Sequence, residues 1–192
     1  MKKALIGAGG HAREVMMQMG DIFPCFVDDE YANEDSLPIS MFNPKEYQVL
    51  VAVGNSKDRY NIINSLPKET KYFSFIHPTS IVGNNINIGE GSFIGAFSIL
   101  TNNIQIGKHS LLNRSNHIGH DCKIGNYLSM MPGSIISGNC TIGNRSYLGT
   151  NSSIRENIKI GNDIIIGLNA GVVKNIKYPG VYVGVPCKKI WN

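Results

Sequence analysis

The stretch LLNRSNHIGHDCKIGNYLSM, residues 111–130, has an aliphatic side chain at every sixth position: Leu112, Ile118, Ile124 and Met130. The same spacing continues without a slip over residues 76–172, and all seventeen positions of the series are aliphatic. Neither the helical repeat of about 3.6 residues nor the strand repeat of about two gives a period of six. A triangular solenoid of parallel strands does, because each flat face uses six residues and three faces complete one coil. The pattern therefore predicts a three-sided parallel solenoid.

Two further positions of the repeat fit this solenoid. Glycine often follows the aliphatic residue, as at Gly107, Gly119 and Gly125, and we expect unusual backbone angles at those corners. Four places after the aliphatic residue the side chain is usually small, as at Cys122 and Cys140, and should point into the narrow interior. This is the hexapeptide pattern of left-handed parallel β-helices. Since the phase is unbroken, no long loop is inserted, and any active site must be formed by the coils themselves.

Composition indicates a cytoplasmic protein. The N-terminal apolar run is too short for a signal peptide or a membrane span. The net charge of +4 comes from scattered basic residues, which argues against nucleic acid and allows anionic ligands. The four cysteines form no CxxC pair, as expected of reduced thiols. Residues 18 apart should stack, so Cys122 lies beneath Cys140 in an interior ladder of small residues rather than in a disulfide.

The first seventy-five residues alternate strand and helix. The segment MKKALIGAGGHAREVMMQM predicts a strand, a glycine turn and a helix, and CFVDDE predicts a second strand that ends in paired aspartates. The segment YQVLVAVGNSKDRYNIINSL predicts the same order of strand, turn and helix, with the turn at Gly54 and the helix capped by Asn55 or Ser56. We expect a small parallel sheet with flanking helices, in which ligands bind beyond the carboxyl ends of the strands.

The glycine turn fits a nucleotide-binding motif. Gly7, Gly9 and Ala12 match G-x-G-x-x-G/A, and Asp28 and Asp29 lie near the spacing of an acid that contacts a ribose. Seventy-five residues supply only about half of the fold that a dinucleotide spans, which favours a nucleotide or nucleotide-sugar over NAD. The alternative, that the glycines only turn the chain, stays open.

Neighbouring side chains extend this hypothesis. A diphosphate would lie at the Gly9–Gly10 turn and the helix N-terminus. His11, on the first helical residues, would face the ligand, although an exposed helix start explains it as well. Arg59 lies early in the second helix, where a phosphate contact and a surface role are equally consistent with the sequence.

The polar segment NRSNHIGHDCKIGN, residues 113–126, carries the candidate chemistry. Because Ile118 points inward, His120 should stand on an outer edge, with Gly138 one coil above it. A glycine there would leave a slot for a thioester, with the Gly138 amide available to its carbonyl oxygen. His120 would act as general base, Asp121 would orient the imidazole, and Asn113 would position the nucleophile.

Two other interpretations of the histidines remain open. They could be exposed edge residues without a function. They could also hold zinc across a symmetric interface, with His109, His117 and His120 as ligands, but residues 117 and 120 should project in different directions. The sequence therefore predicts no metal site.

The chain resembles the bacterial sugar acyltransferases of the left-handed β-helix superfamily, which have a small Rossmann-like N-terminal domain. The resemblance covers nearly the whole chain and is carried by the motifs IGAGGHARE, FVDD, AVGN, IGHDCKIG, PGSIISGNCTIG, YLGTNSSI and GVYVGVPCKKI. The family includes N-acetyltransferases of nucleotide-linked 4-amino sugars and sialic acid O-acetyltransferases. It implies an α/β Rossmann-like domain over residues 1–75 and a left-handed parallel β-helix with a C-terminal tail over residues 76–192.

The resemblance also implies roles for individual residues. His120 matches the general base, and Asp121 matches the carboxylate that raises its basicity. Acetyl-CoA would lie between neighbouring subunits of a homotrimer, near Gly138, Thr150 and Leu168 and, at its nucleotide end, the tail GVPCKK. Some relatives have a second histidine that contacts acetyl-CoA where this chain has Ser129, so that contact would be weaker or pass through water. Substrate contacts would fall on Gly9, Gly10, His11, Asp28, Asp29 and Gly54.

The function predicted from the sequence is acetyl-CoA-dependent N-acetylation of a UDP- or dTDP-linked 4-amino-4,6-dideoxysugar in bacterial glycan biosynthesis. O-acetylation of a sialic acid is the alternative acyl transfer. A metal-dependent hydratase and a non-catalytic scaffold are alternatives from other classes. The acceptor, the nucleotide base and a role for His117 cannot be derived from the sequence.

Overall fold

The computed structural model describes residues 1–191 and begins with an α/β domain. Its sheet is parallel in the order β3-β2-β1-β4-β5. The strands are β1 (Lys2–Ile6), β2 (Cys25–Val27), β3 (Leu37–Pro38), β4 (Tyr47–Val51) and β5 (Lys71–Tyr72). The helices are α1 (Gly10–Met19) and α2 (Ser56–Ser65), with short 3-10 turns at Asp29–Tyr31 and Ile39–Met41. Neither α-helix among residues 1–191 has the length and apolar character needed to cross a membrane.

Local sequence explains these elements. The apolar run Ala4–Ile6 is buried at the centre of the sheet, and Val15 of α1 packs there together with the partly buried Met16 and Met19. These three side chains form the apolar side of α1. Helix α2 starts at Asn55, whose side-chain oxygen accepts hydrogen bonds from the Lys57 and Asp58 amides at 2.9 and 3.1 Å. Asn55 is therefore the cap.

The rest of the chain forms a three-sided prism, and each face is a sheet of parallel strands. The first face contains β6 (Phe75–Ile76), β9 (Phe93–Ile94), β12 (Leu111–Leu112), β15 (Ser129–Met130), β18 (Tyr147–Leu148) and β21 (Ile164–Ile166). The second contains β7 (Ile81–Val82), β10 (Ile99–Leu100), β13 (His117–Ile118), β16 (Ile135–Ile136), β19 (Ser153–Ile154) and β22 (Gly171–Val172). The third contains β8 (Ile86–Ile88), β11 (Ile104–Ile106), β14 (Lys123–Ile124), β17 (Thr141–Ile142) and β20 (Lys159–Ile160).

The C-terminal tail completes the first face. Strand β23 (Gly180–Val183) pairs parallel with β21, and β24 (Lys188–Trp191) pairs antiparallel with β23. The fold predicted from the sequence, an α/β domain followed by a left-handed parallel β-helix, is confirmed.

The six-residue series forms the interior of the prism. From Ile94 to Val172 every member of the series is buried, with at most 6 % of its surface exposed. The prediction is wrong for Ile76 and Val82, which are 43 % and 39 % exposed. They belong to the first coil, which has no coil beneath it. The predicted small residues, Cys122 and Cys140 among them, are buried, and both thiols are free.

The expected role of the corner glycines is wrong. Left-handed backbone angles occur three residues after the inward aliphatic residue, as at Asn103, Asp121 and Asn139, and not at the glycine that follows it. Gly119 is needed for another reason. A Cβ there would lie 2.5 Å from the Gly138 nitrogen in the next coil. Glycine at this position therefore lets neighbouring coils approach each other.

Candidate active site

His120 and Asp121 form an exposed pair on the corner between the second and third faces. His120 Nδ1 lies 2.7 Å from Asp121 Oδ2, and the two side chains are 64 % and 52 % exposed. Asp121 Oδ1 accepts a hydrogen bond from Asn103 Nδ2 at 3.0 Å. The hydrogen bond to His120, and then the one from Asn103, lower the pKa of the Asp121 carboxyl. Asp121 is thus an anion that orients the imidazole through Nδ1, and Nε2, on the other side of the ring, lies beside Gly138.

The backbone of the corner fixes this pair. Asp121 has a left-handed φ of 59°, a conformation that Asp and Asn tolerate better than most residues. Its amide donates to the Asn102 carbonyl at 3.0 Å in the coil below, and the His120 carbonyl accepts from the Asn139 amide at 2.7 Å in the coil above. The dyad is therefore held between two neighbouring coils.

Gly138 lies directly against the His120 ring. A Cβ on Gly138 would come within 2.7–3.1 Å of the imidazole atoms Nε2, Cε1 and Cδ2. Any side chain at position 138 would therefore meet the imidazole, and the predicted approach of a thioester beside it stays a prediction. The Gly138 amide donates no hydrogen bond within the described chain. Its contact with coenzyme A stays a prediction.

Within one chain the dyad is far from the α/β domain. That domain packs on the first face, through Phe93 in a shared apolar core and through polar contacts of α1 and α2. The three faces follow one another in each coil, so the corner that carries His120 lies opposite the first face. One chain alone therefore keeps its α/β domain away from this dyad.

The α/β domain has a pocket of about 610 Å³ at the carboxyl ends of β1 and β2. Gly7 and Asp28 line it, together with Tyr31 and Ser40, which the sequence did not single out. Asp29 points elsewhere, because its carboxylate accepts a hydrogen bond from the Ser40 amide at 3.0 Å, which lowers the pKa of Asp29. Asp29 therefore holds the backbone of Ser40, which lines the pocket, and does not line the pocket itself.

The glycine turn lies beside this pocket. Gly7 has a left-handed φ of 105°, and a Cβ there would lie 3.2 Å from Val53, so glycine is required. Gly9 is the N-cap of α1 without a side-chain cap, and a Cβ on Gly9 would meet open space. Gly10 is exposed at the start of the helix. These features suit phosphate binding at the helix N-terminus.

His11 is mostly buried beside this turn. Its side chain is 15 % exposed, Nδ1 lies 3.5 Å from Glu14 Oε2, and the buried Nε2 has no partner among the described residues. Desolvation outweighs the attraction of Glu14 and lowers the pKa of His11. A neutral ring at this position can donate or accept one hydrogen bond.

Arg59 corrects the sequence analysis. It is 1 % exposed, and its guanidinium donates to the carbonyls of His109, Val53, Gly54, Tyr127 and Leu128 and to Ser129 Oγ. Burial lowers the pKa of Arg59 to about 9. The predicted phosphate contact is wrong, because every donor is used to join α2 to the first face.

Ser129 and Asn113 are also corrected. Ser129 is fully buried, and its hydroxyl donates to the Gly54 carbonyl at 2.6 Å while it accepts from Arg59 and Ser56. It is therefore out of reach of a coenzyme. Asn113 is 2 % exposed and donates to Glu14 Oε2 at 3.1 Å, so it joins α1 to the prism and cannot position a nucleophile.

The other predicted residues lie on two separate surfaces. Thr150 and Leu168 are exposed on the corner between the first and second faces, whereas Gly138 lies on the corner of the dyad. One chain does not bring them together. Gly54 lines a second cavity of about 380 Å³, between the start of α2 and the first face, with Tyr147, Arg145 and Asp163.

Within one chain, the histidines are not grouped as metal ligands. Among residues 1–191, no group of three or more His, Cys, Asp or Glu side chains is arranged to hold a metal ion. His109 is 4 % exposed and lies between the Tyr72 and Tyr127 rings, so it cannot reach another subunit. The interpretation of His109, His117 and His120 as shared zinc ligands fails on this burial.

Comparisons with known proteins agree with the two-domain fold. Residues 2–66 match the family described as the PglD N-terminal domain. A variant of perosamine N-acetyltransferase from Caulobacter crescentus, solved with CoA and GDP-perosamine, is 23 % identical, with a TM-score of 0.89 over 100 % of this chain and 98 % of that one. No curated protein sequence matches the chain.

Two further solved structures are similar over almost their whole length. WeeI from Acinetobacter baumannii is 27 % identical, with a TM-score of 0.87 over 99 % of this chain and 100 % of that one. The acetyltransferase domain of PglB from Neisseria gonorrhoeae is 25 % identical, with a TM-score of 0.74 over 98 % and 99 %. The resemblance read from the sequence is therefore confirmed at the level of the fold.

Proposed function

From a PglD-type N-terminal domain joined to a left-handed β-helix, we propose that this protein is an acetyl-CoA-dependent N-acetyltransferase of a nucleotide-linked 4-amino sugar. The exposed His120–Asp121 pair, 2.7 Å apart on a prism corner, is the observation that carries this proposal. The pocket of about 610 Å³ in the α/β domain has the size and position to take a nucleoside, with Asp28 near the ribose. The similar PglB domain is an acetyltransferase, and the perosamine enzyme was solved with CoA and GDP-perosamine.

The dyad suits direct acyl transfer. The amine nitrogen of the sugar attacks the thioester carbon while His120 Nε2 takes the proton that the nitrogen loses. The carbon–sulfur bond then breaks, and the departing thiolate takes up that proton. Asp121 holds the ring through Nδ1, so the nitrogen at the exposed edge of the ring is the acceptor. The attacking amine must be uncharged, so activity should rise with pH through the neutral range.

The separation of dyad and pocket supports a homotrimer. The α/β domain covers the first face, and the dyad lies on the opposite corner of the same prism. A neighbouring subunit would supply the nucleotide pocket to each dyad. The same arrangement would bring Thr150 and Leu168 of one subunit towards Gly138 of the next, which is the groove proposed for acetyl-CoA.

A thiol-release assay tests the reaction. Purified protein is given acetyl-CoA with UDP-, dTDP- and GDP-linked 4-amino sugars and with sialic acids, and free thiol is measured. We expect release with an amine acceptor and a loss of about 10²–10⁴-fold in kcat/KM for His120→Ala. His77→Ala, which removes a half-buried histidine at the domain junction, is the matched control and should keep full activity.

Two results would contradict the proposal. Thiol release with sialic acids alone would make the enzyme an O-acetyltransferase. Near-normal turnover by His120→Ala with any acceptor would show that another group is the base.

A further inference from the structure

A ladder of amide side chains leads to the dyad along the prism corner. Asn85, Asn103 and Asp121 occupy the same corner position in three successive coils. Asn85 Nδ2 donates to Asn103 Oδ1 at 3.1 Å, and Asn103 Nδ2 donates to Asp121 Oδ1 at 3.0 Å. Asp121 Oδ2 then accepts from His120 at 2.7 Å. Each hydrogen bond therefore restrains the orientation of the next side chain along the corner.

Chemistry fixes the direction of this ladder. An ionised carboxylate can only accept hydrogen bonds, so Asn103 must present its NH₂ group to Asp121. The Asn103 oxygen then faces Asn85, which must donate. Of the two Asp121 oxygens, one is held by Asn103 and the other faces the ring, which leaves the carboxylate little freedom to rotate.

The same corner carries a second pair that does not touch Asp121. Asn139 Nδ2 donates to Asn157 Oδ1 in the two coils above the dyad. Asn103 and Asn157 have nearly the same left-handed φ, 56° and 62°. They differ in one respect, because Asn103 donates to its neighbour above and Asn157 accepts from its neighbour below.

We propose that Asn103 is a positioning residue of the proposed acyl transfer, which orients Asp121 and, through it, the imidazole of His120. This rests on the proposed function, since it assumes that His120 is the base. Asn103 itself touches neither the ring nor the reacting atoms. Lys123, Gln105 and Asn139 share the open groove beside Asp121, and Lys123 is the cation there.

The substitution Asn103→Asp separates this role from a structural one. It keeps the shape and the acceptor for Asn85 but replaces the donor facing Asp121 with a second carboxylate. Repulsion between like charges would then raise the pKa of Asp121 and release the ring. The matched control Asn157→Asp makes the same change at the same backbone angle, yet keeps its role as acceptor from Asn139.

The measurements are kcat, KM for both substrates and the pH profile of kcat/KM. For Asn103→Asp we expect kcat to fall about tenfold to a hundredfold with KM little changed, and a steeper loss of activity below pH 6 than in the parent. Asn157→Asp should match the parent in kcat and in profile. Urea unfolding of both variants reports any general loss of stability.

The outcomes are distinguishable. If His120→Ala is inactive while Asn103→Asp keeps the kcat and pH profile of the parent, the ladder does not position the base and this inference is overturned. If Asn157→Asp loses activity equally, the corner responds to charge in general, which also overturns it. If His120→Ala retains turnover, His120 is not the base, and the proposed function is contradicted independently of the result for Asn103→Asp.

Discussion

At the scale of single residues, the histidine that bears on stability is His109. It lies between the rings of Tyr72 and Tyr127, with centroid distances of 4.5 and 5.4 Å, and its buried Nδ1 has no partner among the described residues. Desolvation, outweighing the attraction of Glu90, lowers the pKa of His109 to about 4. The folded protein therefore keeps this ring neutral where an unfolded chain would protonate it.

This burial predicts a pH-dependent stability. Between the ordinary histidine pKa of about 6.5 and about 4, the unfolded state binds a proton that the folded state does not. The free energy of unfolding should fall as pH decreases through that window, by at most about 1.4 kcal/mol per pH unit from this residue. His109→Phe keeps an aromatic ring between the tyrosines and should remove this part of the slope.

Urea unfolding at a series of pH values from 4 to 8 measures the effect. The difference between the parent and His109→Phe in the slope of unfolding free energy against pH separates the effect of His109 from that of the carboxylates that titrate in the same range. His77→Gln, which changes a half-buried histidine outside this aromatic cluster, is the matched control. Identical slopes for the parent and His109→Phe would show that the ring is protonated in the folded state.

At the scale of the coil, two glycines in neighbouring coils, Gly119 and Gly138, are needed for different reasons. A Cβ on Gly119 would lie 2.5 Å from the backbone of the next coil, whereas the three atoms nearest to a Cβ on Gly138 all belong to the His120 ring. The positions equivalent to Gly138 in other coils carry side chains, at Asn84, Asn102 and Glu156. The backbone there accepts a side chain, and the imidazole is what requires glycine.

These contacts predict that stability and activity separate. Gly138→Ala should keep or slightly raise the free energy of unfolding, by up to about 1 kcal/mol, because it restricts the unfolded chain. It should lower kcat at least about tenfold, because the ring must turn away. Gly119→Ala should lose about 1–3 kcal/mol of stability, since backbone must move. Full activity in Gly138→Ala would show that the observed ring position is not the one used in catalysis.

The sequence repeat predicted the faces of the prism and its inward residues. It did not predict the polar contacts that form where α2 packs on the first face. The period of six gave the faces and the inward residues, and the stacking of residues 18 apart could also have found Asn103 below Asp121. Nothing in the sequence relates Arg59 to Leu128 or Gly54 to Ser129, because these contacts arise when α2 packs on the first face. From the sequence alone, polar side chains buried at such a junction cannot be told apart from polar side chains that contact a ligand.

At the scale of the whole molecule, the prism keeps the proposed base and the proposed nucleotide pocket apart. The α/β domain is joined to the first face by a buried arginine and by the Ser56 hydroxyl, whose oxygen lies 2.9 Å from both Ser129 Oγ and the Ser146 carbonyl oxygen. Such a junction does not allow the domain to swing around the prism to the opposite corner. Each complete site must therefore combine two chains, if the proposed reaction is correct.

Mixing two inactive variants tests this shared site. His120→Ala removes the base and leaves the pocket intact, whereas Ser40→Trp obstructs the exposed rim of the pocket and leaves the dyad intact. In trimers assembled at random from equal amounts, about one site in four pairs an intact pocket with an intact dyad from the next chain. Thiol release should therefore recover to about a quarter of the parent rate, although each variant alone is inactive. Differently tagged chains, copurified after coexpression, show that mixed trimers have formed. Mixed trimers without recovery would place pocket and base in one chain, and a monomeric protein in light scattering would exclude the shared site altogether.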